Sequence, residues 1–305
     1  MKSRKSGFTL VELLTVLVII ALMMGILLPA LNKVRNTAKE AKQKVQFATI
    51  EQAIMAFKGD YGDYPPSDAT GAAGFYYGGA QKLTEALVGW DLMGFHPKSA
   101  WRSDGLDVSG QQWTYDPLHV RWDDTLYERK EPYLELSKAN VFRLGNSTLL
   151  GVPKDGLFKR ADVSAAGLNP DNYVLCDSFP VKKLTFVSGT KTEIVMAGTP
   201  ILYYKANSSN KSWFGKNKYF ERIYNYDDNS AMLSLINKVD LTKRLLVNNT
   251  SDSVYPLGEW GTFYRYLTDP KVNIPGNWPV NADSYVLISA GADGLYGTAD
   301  DITNF

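Results

Sequence analysis

The chain has 305 residues, of which 45% are hydrophobic, and a formal net charge of +1. That is enough apolar material for a real core and excludes a disordered tail, while the near-zero charge gives no bulk attraction to nucleic acid or to an acidic partner. One cysteine, Cys176, excludes an intramolecular disulfide framework and any cysteine-rich metal centre, and only two histidines, His96 and His119, are available as bases or ligands.

The first predicted element is an apolar helix. In K-S-G-F-T-L-V-E-L-L-T-V-L-V-I-I-A-L-M-M-G-I-L-L-P-A-L, residues 5 to 31, the only charge after Lys5 is Glu12. Roughly 22 helical residues rising about 1.5 Å each cover about 33 Å, enough to cross a hydrocarbon core. The basic leader M-K-S-R-K-S-G stays cytoplasmic by the positive-inside tendency, which sends the C-terminal bulk outward. The run is longer than a cleaved secretory signal and lacks a small-x-small site at its end. A plain anchor would explain the length but not Glu12, since an acidic residue in a bilayer costs on the order of 2.5–3.5 kcal/mol even on lenient scales.

K-S-G-F-T-L-V-E-L-L resembles the N-terminal signal of type IV pilins and of the pseudopilins of type II secretion. The resemblance implies cleavage between Gly7 and Phe8 by a prepilin peptidase, which also N-methylates Phe8, with residues 1–7 as the removed leader and 8–31 as the transmembrane helix. It makes Glu12 the family's assembly glutamate. One turn from its own terminus, a carboxylate meets the new Phe8 amine of a neighbouring helix more easily than its own, so buried charges neutralise each other between subunits. Pro29 stands where the family carries a proline and is expected to kink or loosen the helix.

Residues 32–58 continue as an amphipathic helix, with Val34, Ala38, Ala41, Val45, Ala48, Ala53 and Phe57 near helical spacing and Glu40 and Lys44 as an i,i+4 pair. The cations Lys33, Arg35, Lys39, Lys42 and Lys44 read as a solvated, lipid-proximal face, and no nucleic-acid partner is expected. A continuous helix from Phe8 to Lys58 would be a rod of roughly 76 Å. Gly59 and the D-Y-G-D-Y-P-P segment end it. This exit resembles that of G-type pseudopilins at Asp60, Gly62, Tyr64 and Pro65, and Tyr64 is expected to pack on the helix.

Residues 59–280 read as one exported α+β head enlarged by an insertion of about 200 residues that aligns with nothing in the family. Hydrophobic patterning predicts a helix near 80–91 and strands near 173–176, 184–187, 193–197 and 201–204. Cys176, in an apolar strand-like run, reads as a buried structural thiol. Neither histidine has a triad or metal spacing, and the acid pairs Asp123–Asp124 and Asp227–Asp228 lack a partner at readable spacing. No catalytic residue is assigned.

The last segment, 281–305, is a strand through Tyr285, Val286, Leu287 and Ile288 feeding a loop with Gly291, Gly294, Gly297, Asp293, Asp300 and Asp301. Glycines and carboxylates in one loop favour a hard cation such as Ca²⁺. S-A-G-A-D-G-L-Y-G-T-A-D-D-I resembles the calcium loop of G-type pseudopilins. The side-chain ligands expected are Asp293, Asp300 and Asp301, with Ser289 and the backbone carbonyl of Leu295 beside them.

Both ends of the chain, roughly 1–65 and 281–305, thus resemble a G-type pseudopilin. The resemblance implies a type IV pilin-like fold, in which the long N-terminal helix packs on an antiparallel sheet in an enlarged head with a C-terminal calcium loop. It also implies a non-enzymatic subunit of the inner membrane, single-pass, with the head in the periplasm. Its partners would be copies of itself or other pseudopilins in a filament, the prepilin peptidase and methyltransferase, the lipid bilayer, and an assembly platform with a separate ATPase. The alternatives are a type IV pilin or minor pilin for adhesion, motility or DNA uptake, and an anchored enzyme or glycan-binding protein that borrows the export signal.

Overall fold

The computed structural model describes residues 10–72, 74–115, 125–149, 152–188, 191–210, 222–237, 246, 262–272 and 278–305. The chain divides after Lys42 into two units. Residues 10–42 of the first are helical throughout, and Gln43–Phe305 form the second, an α+β head.

Helix α1 spans Leu10–Tyr61. Pro29 does not end it. Its C-terminus is three residues later than the glycine at position 59 suggests, because the stop is Gly62, whose φ of 80° places it in the left-handed region while its N–H donates to the Lys58 carbonyl at 2.8 Å. Tyr64 follows with its ring under the Lys58 ammonium and 5.1 Å from the Tyr285 ring.

Within the head, α1 has two different faces. Phe47, Ile50, Ala53, Ile54 and Phe57, spaced three and four apart, are buried. They share a core with Leu83, Ala86 and Leu87 of α2 (Gly79–Val88) and with Tyr203, Tyr285 and Leu287 of the central sheet. That sheet has the order β11–β10–β9, antiparallel throughout, with β9 at Leu202–Lys205, β10 at Tyr285–Ser289 and β11 at Ile302–Thr303. Successive strand residues point to opposite faces, so Leu202, Tyr204, Val286 and Ile288 enter a second core with Val163, Val174, Cys176, Leu233 and Phe263. Burial on both sides is why β10 reads as a continuous apolar run.

The remaining described strands form small antiparallel sheets. β1 (Thr70–Ala72) pairs with β2 (Phe75–Tyr77), β3 (Val141–Arg143) pairs with β6 (Tyr173–Leu175), and a four-stranded sheet runs β4 (Ser147–Leu149), β5 (Val152–Lys154), β7 (Lys182–Ser188), β8 (Lys191–Ala197). The predicted helix and the four predicted head strands are therefore present, with α2 ending at Val88 rather than near 91.

Candidate functional site

The N-terminal segment comes first in the chain. Leu10–Leu27 forms an apolar helical stretch long enough to cross a membrane, and its leucines, valines and isoleucines are exposed. Glu12 lies in the first described turn, and its backbone carbonyl accepts a hydrogen bond from Thr15 Oγ1 at 3.0 Å. Gly7 and Phe8 lie outside the described residues.

In the head, α1 presents a second stripe opposite its buried one. Val45, Ala48, Gln52 and Met55 recur at alternating spacings of three and four and are exposed, Val45 at 67% and Met55 at 56%. Val34, Ala38 and Ala41 extend the same spacing towards the N-terminus and are exposed too. Apart from Gln52 the stripe is small or apolar, and a three-and-four repeat of such residues is the pattern that packs a helix along another helix.

At the other end of the chain, β10 and β11 are joined by the acidic loop. Gly291, Gly294 and Gly297 all have φ between 65° and 86°. A Cβ on Gly291 would stand 2.2 Å from the Asp300 carbonyl oxygen, so the loop closes only with glycine there. Asp300 Oδ2 accepts the N–H groups of Ala292 and Asp293 at 2.7 and 3.0 Å. Asp301 Oδ2 accepts the Tyr266 hydroxyl and the Gly297 N–H, both at 2.7 Å. Thr298 Oγ1 has three acceptors around it: Asp300 Oδ1 at 2.5 Å, Asp301 Oδ1 at 3.2 Å and the Leu295 carbonyl at 3.3 Å. A hydroxyl carries one proton and can satisfy only one of them.

This gathering of oxygens is electron-rich. Burial works against the charge of Asp300, but hydrogen bonds from Thr298 and from the Asp293 and Ala292 amides outweigh it and hold the carboxyl below its ordinary value. Burial dominates at Asp301 and pushes it up to about 6, against the opposing bonds from Tyr266, Gly297 and Thr298. Two carboxylate oxygens and a backbone carbonyl gathered around the Thr298 hydroxyl are the kinds of oxygen donor a hard cation takes. The loop gathers Asp300, Asp301 and the Leu295 carbonyl; Asp293 Oδ1 accepts the Leu295 N–H at 2.8 Å, and Ser289 Oγ donates to Asp177 Oδ2 at 3.0 Å. Among the described residues no group of three or more His, Cys, Asp or Glu side chains is arranged to hold a metal. Thr298, which sequence reasoning passed over, lies within the quoted G-T-A-D-D stretch.

The titratable groups set aside in the sequence have structural surroundings. Cys176 is buried, and burial pushes its thiol well above the ordinary value. His96 Nδ1 accepts the Lys98 N–H at 3.1 Å, with Nε2 3.8 Å from Glu128. Asp228 Oδ2 accepts the Ser67 hydroxyl at 2.5 Å. Asp123, Asp124 and His119 lie outside the described residues.

Residues 2–28 match the family model described as the prokaryotic N-terminal methylation motif. The N-terminus is pilin-like. With the apolar helix that it contains, the one such helix among the described residues, the motif supports a membrane-anchored type IV pilin-like protein, processed by a prepilin peptidase and built for assembly into pilus-like filaments. Comparison with curated proteins and with solved structures gives no match.

Proposed function

We propose that this protein is a non-enzymatic pseudopilin of the G type in a type II secretion system, anchored in the inner membrane with its head on the periplasmic side. The observation that carries the reading is the joint presence of a methylation motif with Glu12 at one end and the glycine-aspartate hairpin of 289–302 at the other. After cleavage between Gly7 and Phe8, the α1 helices of copies or of related subunits pack through the Val34–Met55 stripe, and a separate ATPase drives the growing fibre. A head-to-tail helix contact of this kind does not close on itself and yields an open filament.

Intact mass and N-terminal sequencing of protein recovered from membranes test the first step, with N-methylated Phe8 as the expected terminus. A terminus at Met1 or past Ala30 would remove the basis of the reading. Filaments are expected from the wild type and not from Glu12→Leu or Met55→Glu, while all three chains insert and keep the same head stability. Filaments that extend from the cell surface and support adhesion or DNA uptake, with secretion intact in a deletion strain, would instead assign the protein to the type IV pilins.

In the same reading Ca²⁺ binds the C-terminal loop through Asp300, Asp301 and the Leu295 carbonyl, with Thr298 as an added oxygen and Asp293 beside them, while the Ser289 hydroxyl is engaged by Asp177. Binding to the folded loop stabilises by mass action, so millimolar Ca²⁺ at about 100 times the dissociation constant is expected to raise the melting temperature of the full chain by roughly 5–10 °C. A chelator reverses the shift, Mg²⁺ does not reproduce it, and Asp300→Ala and Asp301→Ala abolish it. An equal melting temperature with and without Ca²⁺ would refute the calcium assignment and leave the hairpin a hydrogen-bonded turn.

A further inference from the structure

We propose that the cationic face of α1 formed by Arg35, Lys39 and Lys42, together with Lys33 on the other side of the same turns, binds the anionic headgroups of phospholipids in the leaflet from which the helix emerges. The inference rests on the membrane-spanning reading of Leu10–Leu27 and adds a lipid preference to it. Between residues 33 and 42 there are four cations and a single acid, Glu40. Arg35, Lys39 and Lys42 are spaced i, i+4, i+7 and share one face of the helix, while Glu40 stands off that face, one turn before Lys44. Arg35 and Lys42 are exposed and Lys39 is partly so.

Position selects the occupant. Helix α1 continues from the apolar stretch without a break, so Lys33 and Arg35 stand about 9 and 12 Å beyond Leu27, and Lys39 and Lys42 about 18 and 22 Å beyond it, at ~1.5 Å per residue. The polar layer of one leaflet is roughly 5–8 Å deep, and lysine and arginine stems bend towards it. Lys33 and Arg35 therefore reach lipid phosphates directly. Lys39 and Lys42 stand farther out, where the attraction of an anionic surface fades over about one Debye length, ~8–10 Å, and they come within it as the helix tilts. Insertion of the apolar stretch fixes these cations beside the lipid at a high effective concentration, an advantage no soluble acidic partner has. With the head exported, four cations lie on the flank where the positive-inside tendency disfavours them, and anionic headgroups compensate that placement. The basic face also lacks the apolar anchors that centre most protein interfaces.

The test uses the full-length protein in phosphatidylcholine vesicles carrying trace spin-labelled phosphatidylglycerol or spin-labelled phosphatidylcholine. Electron paramagnetic resonance measures the motionally restricted lipid around the helix and the relative association of the two probes. In the wild type at low salt, phosphatidylglycerol is expected to associate on the order of three- to ten-fold more strongly than phosphatidylcholine, falling towards parity at 0.5 M salt, a concentration of about 4 Å screening length. The variant Lys33→Gln/Arg35→Gln/Lys39→Gln/Lys42→Gln retains helix-forming residues and is expected to lose the larger part of this preference, the remainder coming from the basic leader on the other flank and from Lys44. Parity in the wild type overturns the proposal and leaves the cations to an acidic protein surface or to solvent, and so does a selectivity equal in the variant and the wild type. Absence of any restricted lipid in either chain would instead remove the membrane-spanning reading on which the proposal stands, so the two failures are told apart.

Discussion

Phe57→Ala is expected to lower the stability of the head by about 3–5 kcal/mol, the range for truncating a buried aromatic ring. Phe57 is 3% exposed, with the rings of Tyr61, Phe95, Tyr133 and Trp101 at 4.7, 5.1, 5.8 and 6.4 Å. The cavity is surrounded by rigid rings on three segments of chain, which leaves little room for collapse to refill it. Hydrogen bonding nearby adds to the rigidity, because the Tyr133 hydroxyl donates to Asp60 Oδ2 at 2.6 Å just past the ring cluster. Met55, two residues away and 56% exposed, supplies the control, since Met55→Ala is expected to change stability by no more than ~0.5 kcal/mol. Urea denaturation of the full chain in detergent, followed by tryptophan fluorescence, measures both. A loss below about 1 kcal/mol for Phe57→Ala would mean that the head holds α1 through Phe47, Ile50 and Ile54 rather than through the aromatic cluster.

The same two residues show how far the sequence could be read. Phe57 and Ala53 lie in the core, but the predicted apolar face joined two faces of the helix, because Val34, Ala38, Ala41, Val45 and Ala48 obey the same three-to-four spacing and are exposed on the opposite side. Met55 and the stripe it ends were harder to separate from that face, since both stripes obey the same periodicity and only packing distinguishes them. The β10 strand was legible from its unbroken apolar run, whereas its partner β11 was not, because two residues, Ile302 and Thr303, establish no alternation. The same holds for β1 to β5, each three residues long. Gly59 misled because an exposed glycine is tolerated in a helix, while Gly62 ends it by adopting a positive φ. At the C-terminal loop the aspartates and glycines were visible as a motif. The role of Thr298 required coordinates, and so did the pairing of Ser289 with Asp177, 112 positions apart. Long-range polar pairs leave no local trace in a single sequence.

Asp228 is such a pair, and its titration should be measurable. It sits on a 3-10 turn, Tyr226–Asn229, whose neighbour Asn229 accepts the Ala80 N–H at 2.9 Å and donates to the Tyr203 carbonyl at 2.7 Å, so this turn ties the start of α2 to β9. Burial pushes the Asp228 carboxyl up to about 7, Ser67 and Lys82 oppose the rise, and Asp68 and Asp227 add to it. A carboxyl raised from its unfolded value of 3.8 to about 7 binds its proton more tightly in the folded state. Its stabilisation is therefore complete below pH ~4 and is lost as pH rises through about 7. At 1.36 kcal/mol per unit, the loss attributable to this group between pH 5 and pH 8 is about 2–3 kcal/mol. Asp228→Asn keeps an oxygen for the Ser67 hydroxyl and removes the titration. The variant is thus expected to match the wild type below pH ~4, and its advantage is expected to widen by about 2–3 kcal/mol between pH 5 and pH 8. Other buried carboxyls, Glu85 among them, are shifted in the same direction and contribute to the slope of both chains, so the difference between the two curves isolates Asp228. Parallel stability curves for the two chains from pH 5 to pH 8 would show that Asp228 is already ionised in the folded head, its charge carried by Lys82 and the Ser67 hydroxyl.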